Sequence, residues 1–254
     1  MDTNEVLFQG LTQTIILPDL EPIQIRETNG EDEGIISSLQ DATTGENLNK
    51  FLASVVKIPT EEDLKRATVQ DILNWPLNNK YYTIFKVRRL SLGDILKFNH
   101  TCTNPACGCI TEYEDNISEY DNDFKNPTPG TNKIQPYPNG KYREITILLS
   151  SGKRVKWYVR DGNSEKVALE TPLDSLNKNS SLIERNLQIA NGDKYEKVTN
   201  FKIFSSKDMV EIRASVEKYD KAWDCTLTLK CPKCQNTDKP SLFSIPDFFF
   251  PTAI

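Results

Sequence analysis

Thiols are the residues of this 254-residue chain with the clearest capacity for chemistry. There are six cysteines and a single histidine. Five of the cysteines fall in two knuckles far apart in sequence. The later one is Cys231-Pro232-Lys233-Cys234. The earlier and looser one runs His100-Thr101-Cys102-Thr103-Asn104-Pro105-Ala106-Cys107-Gly108-Cys109. Two thiolates a few residues apart on a tight Pro- or Gly-containing turn grip one face of a tetrahedral zinc ion, and a second pair closes the other face.

Neither knuckle completes such a site from its own neighbours. Cys225, Cys231 and Cys234 supply three thiolates with no histidine near them. His100, Cys102, Cys107 and Cys109 would make four ligands, but would leave Cys231 and Cys234 without a role. The simplest arrangement that uses both knuckles places Cys102, Cys107, Cys231 and Cys234 around one structural Zn²⁺. Closing the loop of 231 − 107 = 124 residues costs about 4 kcal/mol. A Cys-rich zinc site yields roughly 10–16 kcal/mol in peptides, so the metal outweighs the loop. The competing readings are a redox disulfide at Cys231-Cys234, which belongs beside a βαβ pattern that is absent here, and inert buried thiols. A catalytic zinc needs an open coordination position and a nearby base, and neither knuckle is followed by one.

The segments around the knuckles read as mixed α and β structure. Ile15 and Leu17 alternate, Pro18-Asp19 turns the chain, and Ile23 and Ile25 alternate again, a hairpin pattern. Thr28-Asn29-Gly30-Glu31-Asp32-Glu33 starts a helix with acids in its first turn. Leu48, Phe51, Leu52, Val55 and Val56 form a helical stripe that reads as core. Thr68-Val69-Gln70-Asp71 caps another helix, which Trp75-Pro76 interrupts. Leu77 to Arg88 continues a helical face. Leu92 to Phe98 is extended and delivers the chain to the first knuckle, and Glu112 to Tyr120 leaves it as a strand.

Residues 121–143 carry four prolines and have linker composition. After them the order of elements restarts. Ile145, Ile147 and Leu149 alternate, Ser150-Ser151-Gly152 turns, Val155, Trp157 and Val159 alternate, and Gly162-Asn163-Ser164-Glu165 starts a helix. Ile23, Ile25, Gly30 and Glu33 match Val155, Trp157, Gly162 and Glu165 at one offset, 132, and the knuckles match at 231 − 102 = 129 and 234 − 107 = 127. Leu182, Ile183 and Leu187 suggest a helix. Ser205-Ser206-Lys207-Asp208 caps a helix bearing Met209, Ile212, Val216 and Tyr219, and Leu227 and Leu229 lead as a strand into Cys231. The expectation is an α+β fold: a tandem repeat of a β-hairpin, helices and half a zinc ribbon, with the halves joined by a shared four-cysteine site. The parts are an N-terminal tail (1–12), repeat A with the first knuckle (13–126), a Pro/Gly linker (127–143), and repeat B with the second knuckle and an aromatic tail (144–254). Phe248-Phe249-Phe250 reads either as buried on the second repeat or as offered to a partner.

This layout resembles the baseplate hub proteins of contractile-tailed bacteriophages. The resemblance covers most of residues 13–251 and lies in the hairpin ending at Ile23 to Arg26, the Gly30-x-x-Glu33 helix start, the Cys231-Pro-x-Cys234 knuckle and the aromatic-proline tail Phe248 to Pro251. The chain departs from the family pattern at its first knuckle, Cys-x₄-Cys-Gly-Cys where Cys-x-x-Cys is usual, which leaves Cys107 and Cys109 as alternatives for one ligand position. The resemblance implies a structural or assembly role in the virion tail baseplate, after assembly in the host cytoplasm. It also implies hub and tail proteins as partners, the tape-measure protein among them, and room for a homo-oligomer.

Composition narrows the alternatives. The net charge of −5 argues against a nucleic-acid wrapper, which draws most of its affinity from a basic face. Lys97, Phe98 and His100 near the first knuckle would suit a zinc-ribbon nucleic-acid binder, but Glu112, Glu114, Asp115, Glu119 and Asp121 follow at once. No carboxylate pairs with a histidine in a recognisable catalytic motif, so no enzymatic activity is expected. No apolar run reaches the length of a membrane span, and no secretion signal is visible.

Overall fold

The computed structural model describes residues 10–18, 21–38, 41, 44–121, 135–136, 143–170, 186–220 and 225–251. Most of the N-terminal tail, most of the linker, and Leu182 and Ile183 lie outside the described residues.

The chain opens with the expected hairpin, strands β1 (Thr12–Ile16) and β2 (Pro22–Arg26). Helix α1 (Gly30–Ile36) follows, held by a reciprocal capping box. Asn29 accepts from the backbone N–H of Asp32, and Asp32 accepts from that of Asn29. Helix α2 (Glu46–Val55) runs directly into β3 (Val56–Pro59), which pairs with β4 (Leu64–Arg66). Val56 therefore ends the helical stripe as an extended residue rather than continuing it. The sheet order is β1-β2-β3-β4, all antiparallel.

Helix α3 (Val69–Leu73) is capped by Thr68 with Asp71, and Pro76 separates it from the long helix α4 (Leu77–Leu92). Gly93, in the left-handed region at φ 77°, ends α4. Strands β5 (Ile95–Thr101) and β6 (Ile110–Asn116) then form a two-stranded ribbon. The strand expected to reach Tyr120 stops at Asn116, whose side chain accepts from the Ser118 N–H and tightens Ile117–Tyr120 into a 3-10 turn.

The second half builds a five-stranded antiparallel sheet. Strands β7 (Gln135–Pro136), β8 (Arg143–Leu148) and β9 (Arg154–Tyr158) precede helix α5 (Gly162–Glu170), and β10 (Leu187–Asn191) and β11 (Lys194–Lys197) complete the order β11-β10-β9-β8-β7. Leu187, expected in a helix, opens β10 opposite Trp157. Helix α6 (Ser206–Tyr219) has the capping box of Ser205 and Asp208. A short ribbon of β12 (Leu229–Lys230) and β13 (Thr237–Asp238) and the final helix α7 (Pro246–Phe249) end the described chain. Among the described residues no helix is long and apolar enough to cross a membrane.

Several contacts recur between the halves at a spacing of 132 residues. Ile15 pairs with Ile23 as Ile147 pairs with Val155, and Gln13 with Ile25 as Ile145 with Trp157. The turn bond from Leu17 N–H to the Glu21 carbonyl has its counterpart from Leu149 to Lys153, both 2.9 Å. The first helical bond from Glu33 to Asn29 has its counterpart from Glu165 to Asp161.

Packing divides the molecule differently from the sequence. One apolar cluster gathers residues from Ile15 to Ile117 and then takes in Cys225, Leu227, Leu229, Leu242, Ile245 and Phe248. The other contains Ile145, Ile147, Leu149, Val155, Trp157, Leu187, Val198, Phe204 and Ile212. The C-terminal segment thus crosses back to the first core. Phe248 is fully buried there, and Phe249 meets Phe51 edge-on at 6.2 Å. Phe248 is thus buried on the first core rather than on the second repeat, while Phe249 and Phe250 are half-buried.

The two cores are stitched at the start of α5. The backbone of Gly162 donates to Trp75, that of Leu77 donates to Arg160, and Asn163 Nδ2 donates to the Leu73 carbonyl at 2.9 Å. A Cβ on Gly162 would lie 3.0 Å from Leu73 Cα and 3.1 Å from its carbonyl oxygen, so this close approach of two backbones requires glycine. The buried Lys80 ammonium pairs with Glu165, which also accepts from the Tyr81 hydroxyl at 2.6 Å. Burial, reinforced by the Glu165 charge, pushes the Tyr81 hydroxyl pKa far upward and keeps it a donor.

Candidate metal centre

Each knuckle is the tip of an antiparallel ribbon, so the site is built from two turns facing each other. In the first, β5 and β6 stay in register to Thr101 opposite Ile110, and the Cys102 N–H then closes onto the Cys109 carbonyl at 2.9 Å. The Asn104 carbonyl accepts from both Cys107 and Gly108, and the Asn104 side chain accepts from Ala106. Gly108, at φ 53°, takes the left-handed conformation that turns the chain back. In the second, the Cys231 N–H donates to the Asn236 carbonyl and the Gln235 N–H to the Cys231 carbonyl.

The ribbons are joined by a polar cluster beside the sulfurs. The Asp238 carboxylate accepts from the Thr103 backbone at 3.0 Å, from the Thr103 hydroxyl, and from Asn236 Nδ2 at 2.7 Å. It also lies 2.9 Å from His100 Nε2. Donors from the first knuckle thus hold the Asp238 pKa down to about 2, the Thr103 bonds contributing most and His100 adding to them. The Tyr113 hydroxyl adds a bond to the Lys230 carbonyl at 3.2 Å.

The structure brings together all four sulfurs named from the sequence. Those of Cys102, Cys107, Cys231 and Cys234 lie within 4.8 Å of one another. Cys102 Sγ is 3.6 Å from Cys234 Sγ, and Cys107 Sγ is 3.9 Å from Cys231 Sγ. With Zn–S bonds of about 2.3 Å, a tetrahedral zinc separates its sulfurs by about 3.8 Å. The donor set and spacing therefore fit a closed, structural tetrahedral ion, whose chemistry is to cross-link the two turns. Closure by four sulfurs leaves no position for a substrate or a bound water.

Without metal, the thiols do not ionise alike. The Cys234 backbone N–H and lesser donors draw Cys231 down to about 6, and the Cys109 N–H lowers Cys107. The Asn104 N–H pulls Cys102 down too, but burial and the Cys234 and Cys231 thiols outweigh it and push it up to about 12. Its contact with Cys231 and then Cys107 raises Cys109 to about 11. Binding a divalent cation requires all the ligands as thiolates, so it draws protons from this cluster.

The remaining sequence candidates have other places. His100 pairs with Asp238 and lies in the shell that braces the knuckles. Cys225 is buried in the first core, at φ 53°, away from the four-sulfur group. Sequence reasoning missed Asp238 and Thr103, because their roles exist only once the two ribbons meet. A carboxylate four residues beyond the second knuckle was the one local signal.

A family model described as T4 bacteriophage base plate protein matches residues 12–250. The chain belongs to that family. Neither the curated proteins nor the solved structures contain a match. A phage baseplate protein is part of the virion tail and has other tail or baseplate proteins as its neighbours. The mixed helices and antiparallel sheets of this baseplate protein, with a four-cysteine cluster able to hold a metal ion, suit a structural role.

Proposed function

We propose that the chain is a structural or assembly component of the baseplate hub, clasped by one zinc ion on Cys102, Cys107, Cys231 and Cys234. The observation that carries the zinc assignment is the meeting of sulfurs 132 and 124 residues apart in sequence at tetrahedral spacing. The hub position follows from the resemblance of the knuckle and aromatic tail to hub proteins. On this reading the partners are hub and tail proteins, the tape-measure protein included, and the role is attachment without catalysis.

We also read the chain as a tandem duplication of a hairpin, helix and half zinc-ribbon unit, with repeat A at 13–126, a linker at 127–143 and repeat B at 144–254. Support comes from the constant spacing of 132 between paired residues, turn bonds and helix starts. The return of the second knuckle to the first core makes the pair an exchanged arrangement, in which one repeat's turn completes the other's packing. The nucleic-acid alternative is weakened because Lys97 pairs with Glu114 at 3.3 Å and His100 with Asp238.

Elemental analysis of the purified protein, with Cys→Ser changes at each of the six positions, tests the metal. One zinc per chain, lost on changing Cys102 in the first knuckle as well as Cys231 or Cys234 in the second, is the expected result. Two metals per chain, or loss confined to changes in one half, would overturn the shared site.

A further inference from the structure

Resting on the zinc reading above, we propose that Cys109 is a second claimant for the coordination position of Cys107, so that the two sulfurs take turns on one ion. Cys109 Sγ stands 3.3 Å from Cys231 Sγ, nearer than Cys107 Sγ at 3.9 Å. Both separations lie close to the sulfur–sulfur edge of about 3.8 Å in a zinc tetrahedron. Both are far from the roughly 2.05 Å of a disulfide.

The backbone holds both sulfurs against Cys231, with Cys109 Sγ outside the group of four that lie within 4.8 Å of one another, so it enters the position only as Cys107 leaves it. Gly108 alone separates the two cysteines, and its left-handed conformation returns the chain so that both side chains reach Cys231. A Cβ on Gly108 would meet nothing within 4 Å, so the turn's shape and not crowding calls for glycine there. The Cys109 carbonyl is fixed by the Cys102 N–H at 2.9 Å, which ties its backbone to that of a residue that would hold the ion in either arrangement. The Thr111 hydroxyl, 3.8 Å from Cys109 Sγ, gives the unbound thiol a resting partner.

The exchange balances without an external reagent. A Zn–S bond to Cys107 breaks as one to Cys109 forms, and the proton of the incoming thiol passes to the released thiolate. The metal's charge and ligand number do not change. The second knuckle has no such reserve. Only Pro232 and Lys233 lie between its cysteines, Gln235 follows them, and Cys225 is held in the core. The clasp is therefore tolerant on one side and strict on the other.

The test compares Cys107→Ser, Cys109→Ser, the double variant and Cys231→Ser in the full-length protein. Readouts are zinc content, chelator competition, and the ¹¹³Cd resonance after cadmium exchange. Each single first-knuckle variant is expected to keep one metal with an all-sulfur cadmium signature. The double variant and Cys231→Ser should each lose more affinity than the roughly 10–100-fold typical of changes outside the ligands. Loss of metal from Cys107→Ser as complete as from the double variant overturns the proposal while leaving the four-cysteine site intact. Absence of zinc from the wild-type protein overturns both readings. Should a variant fail to fold, mild alkylation of the metal-loaded wild type decides: one label per chain divided between Cys107 and Cys109 supports exchange, and a label confined to Cys109 rules it out.

Discussion

Asp32 shows how much a single side chain can organise. Its carboxylate receives Arg26 through two bonds, at 2.6 and 2.9 Å, and the Ser54 hydroxyl at 2.6 Å, while also capping α1 through the Asn29 N–H. Arg26 is almost as buried as its partner, so the pair has no water to fall back on. Burial alone would raise the Asp32 pKa, but the bonds to Arg26, Ser54 and Asn29 together win and lower it. A carboxyl depressed in the folded state stabilises at pH values above its unfolded pKa of about 3.9 and loses that contribution as the pH falls through the folded value. Asp32→Asn should therefore cost roughly 3–5 kcal/mol near neutral pH, because it strands the Arg26 charge. The gap between the wild type and the variant, read from urea denaturation, should narrow below about pH 4 as the wild-type carboxyl protonates. A gap that stays constant from neutral to acid pH would mean that the Arg26 pairing is not what Asp32 contributes.

Among elements, α4 anchors the base of the first ribbon and the C-terminal tail. Its Arg88 is buried and donates to the carbonyls of Gly93 and Ile95, where the first ribbon departs, and to that of Phe248 in the tail. One guanidinium thereby aims β5 and fixes α7 beneath it. Truncating Phe248, which is fully buried against Phe243 and Phe249, should cost roughly 3–5 kcal/mol in global stability. The loss should also expose the tail to protease, and a Phe248→Ala protein as stable and protected as wild type would show the tail to be dispensable to the first core. Such local features are the ones a sequence exposes. The caps at Asn29, Thr68 and Ser205, the alternating hairpins and the knuckle turns are all encoded within a few residues. Val56 and Leu187 misled because an apolar residue at the end of a stripe satisfies a helical or an alternating period equally well. The return of residues 225–249 to the first core has no local period at all, since it depends on contacts with residues more than a hundred positions away.

Across the whole molecule, one joint holds the two cores together and another clasps the returning segment within the first core, and removing the proposed metal should separate their contributions. One joint is apolar and polar packing at α5, with Gly162 against Leu73 and Lys80 paired with Glu165. It makes no use of the thiols. The other is the sulfur cluster, which pins the β5–β6 ribbon to the β12–β13 ribbon and, with it, the crossing segment that fills the first core. Chelation should therefore act unevenly. Amide hydrogen exchange should rise in 95–116 and 225–238, where the ribbons lose their cross-link, and extend to the tail at 242–249 as its anchor loosens. Residues 145–158 and 206–216 pack against each other in the second core and should keep their protection. The Asp238 cluster would hold the ribbons in partial contact, so the first core should lose stability without unfolding at once. Uniform exchange across both cores after metal removal would mean that they unfold as one unit, and equal exchange with and without metal would mean that the packed joint at α5 suffices by itself.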